Sequence, residues 1–141
     1  MKTIELAKYG PVIPVIVIDD VDDAVPMAEA LLSGGMKVLE ITLRTKCALK
    51  AIETITNKVP EAIVGAGTLR TKSDATNAKL AGSKFAVSPG YTNEMSLICK
   101  EIELPLLPGV SNASEIMNAN QDGYSFLKLF NSSLLSNSNS F

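Results

Sequence analysis

The sequence predicts an α/β protein of the (β/α)8 TIM-barrel type, incomplete, with about six βα units present and the last two missing. Three observations predict it. Six short apolar runs alternate with amphipathic segments of helical period. The runs start at intervals of roughly 19 to 26 residues, the span of one βα unit joined by short loops. Two of the runs put charged and bulky residues together on one face and only apolar residues on the other.

Taken in order, Pro11–Ile18 (PVIPVIVI) is a β-branched run, and the Asp-rich DDVDD after it leads into the helical pattern AVPMAEALLSGG. Lys37–Arg44 (KVLEITLR) is the second strand, followed by the helical CALKAIETITNKV. Ala62–Thr68 (AIVGAGT) precedes SDATNAKLAGS, where Ser73 is the expected N-cap and Gly82 the C-terminal stop. Phe85–Gly90 (FAVSPG) leads to TNEMSLICKEI, capped by Thr92. Leu104–Val110 (LPLLPGV) leads to NASEIMNAN, with Asn112 or Ser114 as its cap. The last run is Ser125–Phe130 (SFLKLF). Strict alternation implies parallel strands, right-handed crossovers and a sheet covered by helices.

Strand faces separate a barrel from an open, doubly wound sheet. In KVLEITLR, Val38, Glu40, Thr42 and Arg44 share one face, and Leu39, Ile41 and Leu43 share the other. In SFLKLF, Phe126, Lys128 and Phe130 lie opposite Leu127 and Leu129. An all-apolar face suits the helix-covered outside of a barrel, and a mixed face suits an interior that opens into a site at the strand C-termini. A doubly wound sheet instead has near-continuous apolar strands, and neither GxGxxG nor GxxxxGK[ST] occurs here. Eight such units need about 200 residues. Residues 1–130 are therefore expected to form one partial barrel. Residues 131–141, of which eight are Ser or Asn, form an atypical tail expected to be disordered because it has little to bury.

Bulk properties exclude several classes. The formal net charge is -2 with no basic run, which argues against nucleic acid. No apolar run approaches a membrane span and MKTIELAKYG lacks a leader's apolar segment, so the expected address is cytoplasmic. Cys47 and Cys99, without a CxxC, are expected to be free. The absence of histidine removes Ser/His and Cys/His nucleophile pairs and most zinc and iron sites, and no metal ligand set is expected.

Chemistry then falls to the polar residues at strand ends or on inward faces: Glu40, Arg44, Thr45, Thr68, Ser88 and Lys128. A lysine inside a barrel between Phe126 and Phe130 is expected to be desolvated, which favours the neutral amine and Schiff-base formation with a carbonyl. Glu40 is placed to shuttle protons, Arg44 to bind a carboxylate, and the Thr68 hydroxyl to add a hydrogen bond. Spacing alone leaves a plainer alternative open, in which Lys128 and Glu40 are only a buried ion pair and Arg44 a surface residue.

The motifs VLEITLRT, AIVGAGT, FAVSPG, LPLLPGV and FLKLF, in this order and at these separations, resemble the bacterial 2-keto-3-deoxy-6-phosphogluconate (KDPG) aldolases, which also act as 4-hydroxy-2-oxoglutarate aldolases. The likeness runs from about Gly10 to Phe130. It implies a class I aldolase on a (β/α)8 barrel, homotrimeric, acting on pyruvate and a phosphorylated sugar acid without cofactor or metal. By motif, it implies Lys128 as the Schiff-base residue and Glu40 as proton acceptor and donor. Arg44, Thr68, Pro89 and Phe130 are implied to bind substrate. The chain departs from the family after Phe130, where Asn131 begins the Ser/Asn-rich tail. The two absent units are those that the resemblance assigns to the substrate phosphate. An active aldolase and a remnant that keeps only the pyruvate-binding half of the site are thus both expectations. Another lysine-dependent keto-acid aldolase, or a phosphate-binding barrel isomerase, is a weaker third.

Overall fold

The computed structural model describes residues 2–130; the expected tail at 131–141 lies outside the described residues. Its elements alternate as β1 (Val15–Ile16), α1 (Ala24–Ser33), β2 (Val38–Thr42), α2 (Ala48–Lys58), β3 (Ile63–Gly67), α3 (Lys72–Leu80), β4 (Phe85–Ser88), α4 (Asn93–Glu101), β5 (Leu106–Val110), α5 (Ala113–Gln121) and β6 (Lys128–Leu129). The six strands are all parallel and lie side by side in chain order. A doubly wound sheet reverses its strand order at a switch point; this one never does, so successive right-handed crossovers lay every helix on the same face. The sheet is an incomplete barrel. Among the described residues, β1 pairs only with β2 and β6 only with β5.

Two apolar clusters mark its two faces. The outer one joins Leu39 and Ile41 of β2, Val64 and Ala66 of β3 and Ala86 of β4 to the helix residues Ala51, Ile52 and Ile55 of α2, Ala75 and Ala78 of α3 and Met95 and Cys99 of α4. The inner one joins Val38, Phe85, Val87 and Leu107 to Leu6, with Ile63 and Phe126 packed against it. Val38, Ile63 and Phe85 each begin their strand, so this cluster fills the N-terminal end of the half-barrel. Leu6 comes from a 3-10 helix over Thr3–Tyr9 that has no apolar period of its own, and its side chain is fully buried as a plug. With that end closed, polar residues collect at the other.

The strands are shorter than the apolar runs. In Pro11–Ile18 only Val15 and Ile16 pair, because Pro11 and Pro14 have no N–H to give; the Pro14 carbonyl still accepts from Glu40 N at 3.1 Å. Pro105 likewise offers only its carbonyl, to Ala86 N at 2.8 Å, and β5 starts one residue later. In Ser125–Phe130 only Lys128 and Leu129 are strand. Leu129, expected beneath a helix, is 78% exposed because no described helix follows β6.

Thr92 and Asn112 cap α4 and α5 as expected, each accepting a backbone N–H three residues on. The cap of α3 is Thr71 and not Ser73. Its Oγ1 accepts from Asp74 N at 3.1 Å, while Asp74 Oδ2 accepts from the N–H groups of Thr71 and Arg70, which is a capping box two residues upstream. Cys47 and Cys99 are free. Among the described residues no helix is long and apolar enough to cross a membrane.

Candidate active site

Every position of β2 is buried. Since Leu39 and Ile41 face the helices, the period of two turns Glu40 inward. Lys128 arrives from β6, 88 residues later, where it pairs in register with Gly109 of β5. Its Nζ donates to Glu40 Oε2 at 3.3 Å and to Oε1 at 3.4 Å. The two strands thus face each other across the half-barrel. The cleft around this pair is lined by the six residues that the family resemblance implies, Glu40, Arg44, Thr68, Pro89, Lys128 and Phe130. Val15, Val87 and Ser88 complete it. Thr45 is not in the lining: its hydroxyl donates to Ile18 O at 2.5 Å, and Cys47 Sγ donates to the same carbonyl at 3.1 Å. These two bonds tie the turn that carries Arg44 to the segment just beyond β1.

Glu40 keeps only 5% of its side chain exposed. Burial raises its carboxyl above the ordinary value; the Lys128 charge and hydrogen bond, and then the Arg44 charge, pull it back only in part. Lys128 itself sits differently from expectation. Its side chain is 27% exposed and paired with a carboxylate, not enclosed between two aromatic rings. Phe126 packs into the inner cluster below, and the Phe130 ring lies 5.8 Å from Nζ. Among the described residues no strand pairs with β6 on the side away from β5.

Thr68 follows β3 with φ 62°, the left-handed region, which is an outlier for a β-branched residue. Such conformations cost about 1–3 kcal/mol and cluster at functional sites. The turn brings Thr68 into the cleft directly after Gly67. Pro89 directly follows β4, and Phe130 N donates to Val110 O at 2.8 Å beyond β6. The Ser88 hydroxyl is buried and has no hydrogen-bond partner among the described residues.

Sequence reading missed Gly67. A Cβ built there would overlap Glu40 Oε1 and lie 2.8 Å from Glu40 Cγ. The signal was present in VGAG, whose glycines fall on one face at period two, a mark of hollow space inside a barrel.

An amine, a buried carboxyl with raised proton affinity and a guanidinium at one strand end make a set able to condense with a carbonyl, move protons and hold an acid. Among the described residues no group of three or more His, Cys, Asp or Glu is arranged to hold a metal ion.

The family model described as KDPG and KHG aldolase matches residues 3–137. The 2-dehydro-3-deoxy-phosphogluconate aldolase of Dickeya dadantii is 48% identical over 126 residues, which are 89% of this chain and 59% of that one. The crystal structure of 2-keto-3-deoxy-6-phospho-gluconate aldolase from Zymomonas mobilis superposes with a TM-score of 0.88 at 44% identity, over 92% of this chain and 63% of that one. KDPG aldolase from Legionella pneumophila, with pyruvate captured at low pH as a covalent carbinolamine intermediate, superposes with a TM-score of 0.87 at 43% identity, over 94% of this chain and 65% of that one. The chain thus spans about three-fifths of the length of the curated relative it matches, 59%.

Proposed function

The chain belongs to the KDPG and KHG aldolase family, and from that premise we propose that it is a class I aldolase whose imine forms on Lys128. The reading rests above all on the Lys128 amine facing the buried Glu40 carboxylate at 3.3 Å in a cleft shared with Arg44 and Thr68. The substrate is 2-keto-3-deoxy-6-phosphogluconate, cleaved to pyruvate and glyceraldehyde 3-phosphate, with 4-hydroxy-2-oxoglutarate, cleaved to pyruvate and glyoxylate, as a second substrate. Glu40 takes a proton from the Lys128 ammonium, the free amine adds to the C2 carbonyl, and the carbinolamine hydroxyl leaves as water with that proton, giving a protonated imine. Glu40 takes the C4 hydroxyl proton, directly or through water, as the C3–C4 bond breaks. The aldehyde leaves and the electron pair of that bond passes into an enamine. Glu40 returns a proton to C3, and water releases pyruvate. Arg44 and Thr68 hold the carboxylate while Pro89 and Phe130 wall the pocket. A raised carboxyl suits this shuttle, because a group whose pKa lies nearer the working pH both takes and gives protons readily. The capture of pyruvate as a carbinolamine in the Legionella relative supports the first step. Family membership also favours a homotrimer in the cytoplasm.

A second reading has its own support. In the roles proposed above, the cleft groups all address the keto-acid end of a substrate, and the chain spans 59% of its Dickeya relative. The chain would then hold pyruvate as an imine and turn over little. Borohydride with pyruvate should add a stable mass to the peptide containing Lys128 under either reading; an unlabelled peptide would falsify both. Exchange of pyruvate methyl protons for deuterium together with cleavage of the phosphorylated substrate supports the aldolase. Exchange without cleavage supports the pyruvate-holding form.

A further inference from the structure

We propose that Gly67 is the positioning residue for the Glu40 carboxylate: the space left by its missing side chain is the seat that holds this carboxylate against Lys128. The inference builds on the roles just given to Glu40 and Lys128. Gly67 ends β3, beside β2, with its position paired in register to Thr42. Its carbonyl accepts from Leu43 N at 2.9 Å, so its backbone is pinned to the turn that carries Arg44. On its inner side a Cβ would overlap Glu40 Oε1 and stand 2.8 Å from Cγ and 2.9 Å from Cδ. The neighbour that would have to yield is the carboxyl end of Glu40, and it has little room, being 5% exposed in a fully buried strand. Gly65, on the same face two residues earlier, meets instead the ring of Phe85 and so serves packing. Only the second glycine borders the reacting group.

The seat sets more than occupancy. Nζ stands 3.3 and 3.4 Å from the two carboxylate oxygens, so the carboxylate presents both to the amine almost equally. These distances exceed the ~2.7–2.9 Å of a tight charge-assisted bond, which leaves the amine free to turn toward a carbonyl. Displacing the carboxylate by about 1 Å would lose a productive geometry worth on the order of 100-fold in rate. The left-handed turn at Thr68 begins at the very next residue, so the same two positions fix the carboxylate and swing the threonine into the cleft.

The test is a cycle of Gly67→Ala and Glu40→Ala, singly and together, in the full chain. Gly67→Ala should slow pyruvate methyl exchange on the order of 10- to 100-fold while borohydride still traps pyruvate on Lys128, and the pH at half-maximal exchange should move. Glu40→Ala removes Cγ, Cδ and both carboxylate oxygens, and with them every atom that a Cβ at position 67 would meet. In that background the same alanine should cost little in thermal midpoint. Should Gly67→Ala alone fold poorly, Glu40→Ala must restore its soluble yield and midpoint. An equal cost of the alanine in both backgrounds, read by midpoint, overturns the proposal. The midpoint cycle reads the seat without any turnover, so a wild-type chain that traps no pyruvate counts against the aldolase reading and leaves the positioning of Glu40 separately decided.

Discussion

Glu40 is a carboxyl held where its charge is poorly solvated, and that position has a cost in stability that pH can expose. Its folded value lies above the ordinary 4.5, with burial as the largest cause. A carboxyl raised on folding favours the folded state most when protonated: its contribution is fully present below 4.5 and is lost as pH rises through the folded value. Glu40→Gln removes the titration. The unfolding free energy of the variant minus that of the wild type should therefore increase as pH rises from 4.5 upward, read by urea denaturation across that range, while proton exchange on pyruvate is lost. A difference that stays flat with pH would mean the carboxyl is not held against its charge. Lys128, Glu40, Arg44, Thr68, Pro89 and Phe130 were legible in the sequence because each sits in a short ordered motif, and all six line one cleft. Two features were not. The partial exposure of Lys128 depends on what stands beside β6, and the fit of Gly67 to Glu40 depends on two strands lying in one register. Local pattern carries neither.

Elements were legible where one interaction decides them and blurred where two compete. Thr92 and Asn112 each stand alone before an amphipathic segment, and both cap as expected. Before α3 there are two hydroxyls, Thr71 and Ser73, and periodicity does not choose between them. Asp74 does: from the third helical position its carboxylate reaches back to Thr71 N at 3.0 Å, closing a reciprocal pair that Ser73 cannot form. Ser73 Oγ instead accepts from Asn77 Nδ2 at 3.3 Å within the helix. Thr71→Ala should therefore destabilise the chain by about 1 kcal/mol, and Ser73→Ala by less than about 0.5 kcal/mol, in denaturant titrations of the two variants. The reverse order would place the helix start two residues later. Strand ends were overread for a related reason. An apolar run records which residues avoid water, whereas a ladder also needs N–H groups, and Pro11, Pro14 and Pro105 withhold theirs.

At the scale of the whole molecule, the parallel sheet formed by the described residues has β1 and β6 at its two edges, and both carry apolar side chains. Val12, Val15 and Val17, in and beside β1, are 53%, 52% and 48% exposed, and Leu129 on β6 is 78% exposed. An edge strand offers unpaired N–H and C=O groups as well as side chains, so two copies can pair edge to edge. Leu80, at the end of α3, is 80% exposed, yet its backbone is already helical and offers no ladder. The two leucines separate strand pairing from general stickiness of the surface. Leu129→Lys should lower the concentration dependence of light scattering, since a lysine on an edge strand disfavours pairing, whereas Leu80→Lys should leave it close to that of the wild type. Neither change touches the interior, and Leu129 points to the side of β6 opposite Lys128, so borohydride labelling with pyruvate should survive in both. Equal reductions by the two substitutions would trace association to exposed apolar area alone. A reduction confined to Leu129→Lys would trace it to the open edge of the barrel.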